Sequence, residues 1–100
     1  MGAEVDLVVT YDIDTSTPRG ERRLARVAKV CEGYGVRVQY SVFECRLSEV
    51  EALHLGHKLE DVIDPAVDSV RFYHIPGSFE DLRTSIGKAV PHSWGQPWIT

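Results

Sequence analysis

An α+β sandwich, one antiparallel sheet with two helices on the same face, is the fold that the order of hydrophobic periods predicts. Three observations carry it. Several stretches alternate apolar and polar side chains at the period of two that marks a half-buried strand. Two others carry apolar residues three and four apart, the stripe of an amphipathic helix. They come in the order strand, helix, strand, strand, helix, strand, the split βαβ pattern of a ferredoxin-like βαββαβ sandwich.

The first strand is the one the rest is arranged around. In residues 5–14, Val5, Leu7, Val9 and Tyr11 alternate with Asp6, Val8, Thr10 and Asp12, so one face is buried and the other mixed. β-branched and aromatic residues fill it, and propensity agrees with pattern. Asp12 stands where the strand gives way to the polar loop Asp14-Thr15-Ser16-Thr17. A carboxylate held by a rigid strand and facing a loop suits a metal ion or a water. A turn-forming Asp capping the strand exit is the alternative.

Thr17-Pro18 opens the first helix, a hydroxyl N-cap followed by proline at the first helical position. Leu24, Val27, Ala28, Cys31 and Tyr34 form its apolar stripe; Gly33 and Gly35 bracket its end, and either suits a left-handed cap. Arg19, Arg22, Arg23, Arg26 and Lys29 fall largely off that stripe, so arginines face outward while another face lies on the sheet. Helix N-termini and guanidinium forks both suit phosphate, and they follow the Asp12 loop directly. An arginine-rich solvated face without function is the other reading of the same residues.

Residues 36–47 read as two strands reversing near Tyr40-Ser41, with Phe43, Cys45 and Leu47 on one side and Val42, Glu44 and Arg46 on the other. Ser48-Glu49-Val50-Glu51 is a capping box opening the second helix. Its stripe is Ala52, Leu55, Gly56, Leu59, Val62 and Ile63, and Asp64-Pro65 ends it. Residues 68–75 form the next strand, Val70 and Phe72 alternating with Arg71 and Tyr73. Pro76-Gly77-Ser78 breaks the chain, and residues 82–86 suit a short strand or a helical turn. Residues 87–96 read as loop. The apolar end Pro97-Trp98-Ile99-Thr100 needs a surface to lie on, and a sheet edge in the same or a second subunit is its natural host.

Composition bounds the function. The chain has 100 residues, 43% of them apolar and 26% charged, which is ordinary for one soluble domain. No apolar run is long enough to span a membrane, and the amino terminus lacks the basic flank and apolar core of a secretory signal. Cys31 and Cys45 fall within apolar patterns and read as buried thiols of a reducing compartment, with the cytoplasm as the expected location. Net charge is −4, but it is unevenly placed: residues 1–17 carry −4, residues 18–46 carry +4 and residues 47–100 carry −4. The basic third is where a polyanion would bind.

Tyr11-Asp12-Ile13, the arginine-rich helix, Tyr34-Gly35, the run Arg37-Val38-Gln39-Tyr40-Ser41-Val42-Phe43-Glu44-Cys45 and Asp68-Ser69-Val70-Arg71-Phe72-Tyr73 together resemble the small CRISPR-associated nucleases of the spacer-acquisition (adaptation) module, the Cas2 family. The resemblance covers about residues 5–75, in order and at the expected lengths. It implies a ferredoxin-like homodimer with facing sheets, each chain adding a C-terminal strand to its partner's sheet. Residues 1–76 are then the nuclease core and residues 77–100 an extension docking on the partner. It further implies that Asp12 is the catalytic metal ligand, two copies jointly holding one Mg²⁺, with Mn²⁺ as a substitute. Arg19, Arg22, Arg23, Arg26 and Arg37 become the nucleic-acid contacts, with Tyr11, Ser41 and Phe43 in support. For Phe43, the period of two already predicts burial in core or dimer packing without any function.

Other candidates carry less. His54 and His57 lie on one turn of the second helix with no third ligand apparent; His74 and His92 are single; Asp14 suits a turn; Trp94 suits tail docking. Three functions follow for comparison: a metal-dependent endonuclease of RNA or DNA, a non-catalytic scaffold holding double-stranded DNA for the CRISPR integrase (Cas1), and a regulator or toxin-type ribonuclease of the same topology.

Overall fold

A computed structural model of the chain describes residues 4–87. Strand β1 (Glu4–Asp12) is followed by helix α1 (Pro18–Glu32), strands β2 (Gly35–Gln39) and β3 (Val42–Ser48), helix α2 (Glu49–Val62), strand β4 (Ser69–Ile75) and a single turn α3 (Phe79–Leu82). The sheet runs β2-β3-β1-β4, with β1 antiparallel to both its neighbours. This is the ferredoxin-like order that the periodicities predict.

Register explains which face is the core. Leu7 stands opposite Cys45 and His74, and Val9 opposite Phe43 and Phe72, so these side chains share the helix-covered face. Leu7, Val9, Phe43 and Cys45 meet Val27 and Cys31 of α1 and Leu55 and Leu59 of α2 in one cluster, all essentially inaccessible to water. Each large side chain so buried contributes about 1.5–3 kcal/mol. Both cysteines are free and buried, and burial pushes each thiol up to about 12.

Local signals set both helix starts. The Thr17 hydroxyl accepts the Gly20 N–H at 3.1 Å with Pro18 in the first turn, and the Ser48–Glu51 capping box is complete, with bonds of 3.1 and 2.8 Å. The end of α1 departs from expectation. Neither Gly33 nor Gly35 takes the left-handed conformation: Gly33 has φ −76°, and the last carbonyls are met by tightened turns from the Gly33 and Tyr34 N–H groups. Gly35 serves close packing instead, since a Cβ there would overlap the Glu44 carbonyl and press on the Cys45 sulfur. Helix α2 ends at Val62, slightly before Asp64-Pro65.

A second departure lies on the uncovered sheet face. Asp6 belongs to the mixed side of β1 yet is only 4% exposed. Residues after β4 fold back over it: Asp6 accepts the Phe79 N–H at 2.9 Å and a two-pronged bond from Arg46 at 2.7 and 2.8 Å, Arg46 also reaches Glu80, and Arg83 pairs with Glu44 at 2.6 Å. The Arg46 guanidinium holds the Asp6 carboxyl below the usual range. The helical turn expected in residues 82–86 therefore comes earlier, ending at Leu82; residues 83–86 form neither strand nor helix, and Ile86 is exposed. The expected docking of the tail, with Trp94, Trp98 and Ile99, and the loop His92 lie outside the described residues.

Candidate metal and phosphate site

Asp12 ends β1 on the face that the helices leave open. Ser69 is its partner across β4, and the Thr10–Arg71 pair sits two residues back on the same face. Asp12 is exposed, and no donor or cation among the described residues engages its carboxylate. The Arg71 guanidinium lies 3.4 Å from the Tyr73 hydroxyl, so a cation and a phenol flank the approach to Asp12.

The strand end carrying Asp12 is fixed from behind. Tyr11 donates its N–H to the Ser41 carbonyl at 3.2 Å and stacks on Phe43, ring centroids 6.2 Å apart. Arg37 lies over the Phe43 and Tyr40 rings at 5.2 and 5.8 Å and approaches Glu32 at 3.9 Å, while the Tyr11 hydroxyl donates to the Tyr40 carbonyl at 3.5 Å. Burial pushes the Tyr11 phenol upward, and Arg37 opposes that. Tyr11, Phe43 and Arg37 thus sit on the helix side of the sheet, not beside the carboxylate; Phe43 is fully buried, as its alternation predicts.

The loop after Asp12 is held as firmly. Asp14 accepts the Ser16 N–H at 2.9 Å, the turn role read from its position. Its own N–H donates to Asp68, which also accepts the Asp64 N–H, each at 2.9 Å, and takes Arg23 at 2.7 and 3.3 Å. That cation is the first cause holding the Asp68 carboxyl down at about 2. Helix α1 presses onto the same loop at Gly20, where a Cβ would overlap the Asp14 carbonyl oxygen.

The predicted arginines therefore divide. Arg19, Arg22 and Arg26 are exposed on the outer side of α1. Arg23 turns inward to Asp68, with 17% of its side chain exposed. Two residues of the site escaped the sequence reading. Arg71 was recoverable, since the alternation of β4 puts it on the face away from Val70 and Phe72. Asp68 was not, because its main partner lies 45 residues away.

Mg²⁺ is held by one or two carboxylates, with waters completing an octahedron. Asp12, with both oxygens available, fits half of such a donor set. No group of three or more His, Cys, Asp or Glu gathers among the described residues, so the set is open rather than a closed cage. His54 and His57 accordingly remain on the exposed face of α2.

Comparisons with known proteins identify the family and the fold. The family model described as CRISPR associated protein Cas2 matches residues 6–92. A CRISPR-associated endoribonuclease Cas2 of Chlorobaculum tepidum is 47% identical over 74 residues, covering 74% of this chain and 77% of that relative. A CRISPR-associated endonuclease Cas2 of Halalkalibacterium halodurans is 40% identical over 81 residues, covering 81% and 84%. The crystal structure of Streptococcus pyogenes Cas2 at pH 6.5 superimposes with a TM-score of 0.73 at 43% identity, over 82% of this chain and 99% of that one.

Proposed function

The chain belongs to the Cas2 family of CRISPR-associated proteins, and we propose from that premise that it is a metal-dependent endonuclease of spacer acquisition acting as a homodimer. The observation that carries this reading is Asp12, an exposed carboxylate without a partner among the described residues, on the uncovered sheet face beside Arg71. The names endoribonuclease and endonuclease borne by its relatives support phosphodiester cleavage and leave RNA and DNA both in view.

The same face supports the dimer. Val8, Val42 and Tyr73 line it without a covering layer of helices, and apolar sheet faces are stable when something packs on them. A twofold axis there brings two Asp12 carboxylates to one Mg²⁺. When bound, the ion supplies an activated water for in-line attack and offsets charge on the phosphate. Arg71 orients the phosphate from the adjacent strand. Arg19, Arg22 and Arg26 hold neighbouring phosphates, and Arg37, its side chain 40% exposed, adds a contact by the hairpin. Arg23 acts by holding the Asp12 loop through Asp68. Phosphate contacts read no bases, so binding is largely independent of sequence. The CRISPR integrase Cas1, in the cytoplasm, is the second partner.

Asp12→Asn tests it. Losing a supporting group around a metal costs 10–100-fold, so losing the ligand itself should lower Mg²⁺-dependent cleavage by about a hundredfold or more. Affinity for the same oligonucleotide, measured without divalent metal, should stay within about twofold, since phosphate contacts set it. Undiminished cleavage by purified Asp12→Asn would refute the assignment. Cleavage absent from the wild type with duplex affinity intact would favour the integrase scaffold.

A further inference from the structure

The outer face of the helix layer carries a run of cations that extends past the arginines already assigned to phosphate. Arg19, Arg22, Arg26 and Lys29 recur at three- and four-residue steps, so they occupy an arc of about 80° along about 15 Å of α1. All four are exposed. At its far end this ladder enters a groove of about 650 Å³ between α1 and α2, where Arg26 and Lys29 face His54 and Lys58. Lys58 lies over the Tyr34 ring at 5.1 Å, which fixes its ammonium at the groove wall. The lining acid, Glu51, is turned to the Ser48 N–H at 2.8 Å and completes the helix cap.

Pairing elsewhere makes this placement informative. Arg23, Arg37, Arg46 and Arg83 each find a carboxylate. Among the described residues, no carboxylate forms an ion pair with Arg26, Lys29 or Lys58. Three cations facing one groove repel one another unless an anion enters, in a chain whose net charge is −4. A ladder of this length can follow successive phosphates along one strand.

We propose that the α1–α2 groove is a second phosphodiester-backbone site, remote from Asp12, that continues the α1 ladder and takes the same nucleic acid beyond the point of cleavage. This rests on the reading of the chain as a nucleic-acid-binding protein and adds Lys29, Lys58 and His54 to it. Val30 and Tyr34 give the groove an apolar floor, and the cations at its rim are placed for phosphate oxygens, as a sequence-independent contact requires.

The test measures affinity for a duplex of about 30 base pairs across a salt series, without divalent metal, so that it does not depend on catalysis. Lys29→Gln/Lys58→Gln should weaken binding about tenfold at low salt and reduce the slope of log affinity against log salt by about two. Leu53→Glu/His57→Glu makes the same change in net charge at exposed positions of α2 that line its opposite groove, and should leave the slope unaltered. An unchanged slope in the lysine variant overturns the groove site, as does an equal change in both variants, which would mark a long-range field effect. Arg22→Gln separates the two readings. A slope reduced by Arg22→Gln alone removes the groove and keeps the basic face of α1, whereas insensitivity to both removes nucleic-acid binding by the helix layer.

Discussion

Asp12 and Asp68 stand within one residue of facing positions on neighbouring strands, yet their surroundings give them opposite tasks. Asp12 is exposed and keeps its lone pairs; Asp68 is buried and uses its own on Arg23 and on two backbone N–H groups. Because the folded-state carboxyl is held at about 2, below its ordinary 3.8, the ionised form favours folding. That contribution, roughly 2 kcal/mol, is complete above the ordinary value and is lost as pH falls through the folded one. Asp68→Asn should therefore cost roughly 3 kcal/mol near neutrality, since it leaves Arg23 without its carboxylate. Urea unfolding of both proteins checks this: the gap between them should narrow markedly from pH 6 to pH 2. A gap constant over that range would mean that the ion pair is not what Asp68 contributes. Nuclease activity should fall in the same variant with Asp12 untouched, because the loop beside Asp12 loses its anchor.

At the scale of elements, two glycines separate what a helix needs from what a site needs. Gly20 lies in the first turn of α1 against the Asp14 carbonyl, while Gly56 in α2 has no atom within 4 Å of where a Cβ would be. Gly56→Ala should stabilise by about 0.5–1 kcal/mol through helix propensity alone. Gly20→Ala should destabilise by about 1–3 kcal/mol, because α1 and the Asp12 loop must separate. Thermal unfolding of the two variants should shift in opposite directions, and a shift of the same sign in both would contradict the packing described. These positions also show what the sequence reveals. The helix starts were legible because Thr17-Pro18 and Ser48-Glu51 act on neighbours within a turn. The strands were legible because a period of two survives without knowledge of partners. Asp12 stood out because it ends such a strand. The inward turn of Arg23 to Asp68, the closure of residues 79–83 over Asp6 and the fit of Gly20 on Asp14 all join residues distant in sequence or depend on backbone approach. No local pattern encodes them.

For the molecule as a whole, the two sides of the sheet have different work. The helix layer completes the core and turns a basic ladder outward; the opposite side bears Asp12 and is closed at one end by residues 79–83. Val42, opposite Thr10, lies on the part of that side nearest Asp12, and Tyr73 adds an exposed ring on β4. If two chains meet there, a charge placed among those side chains must be desolvated on association, which costs several kcal/mol when it has no partner. Val42→Arg is the decisive variant, because Val42 is half-buried and takes no part in the core cluster. Its expected behaviour is sedimentation as a monomer at concentrations where the wild type is a dimer, with an unfolding transition still cooperative. Cleavage should fall with the dimer even though Asp12 is intact, since on the proposed reading each chain brings one carboxylate to a shared ion. Activity should return in proportion to dimer as protein concentration is raised. A Val42→Arg monomer cutting as fast as the wild type would place the entire catalytic apparatus within one chain and end the two-carboxylate reading, while leaving the nucleic-acid contacts of the helix layer to be judged on their own salt dependence.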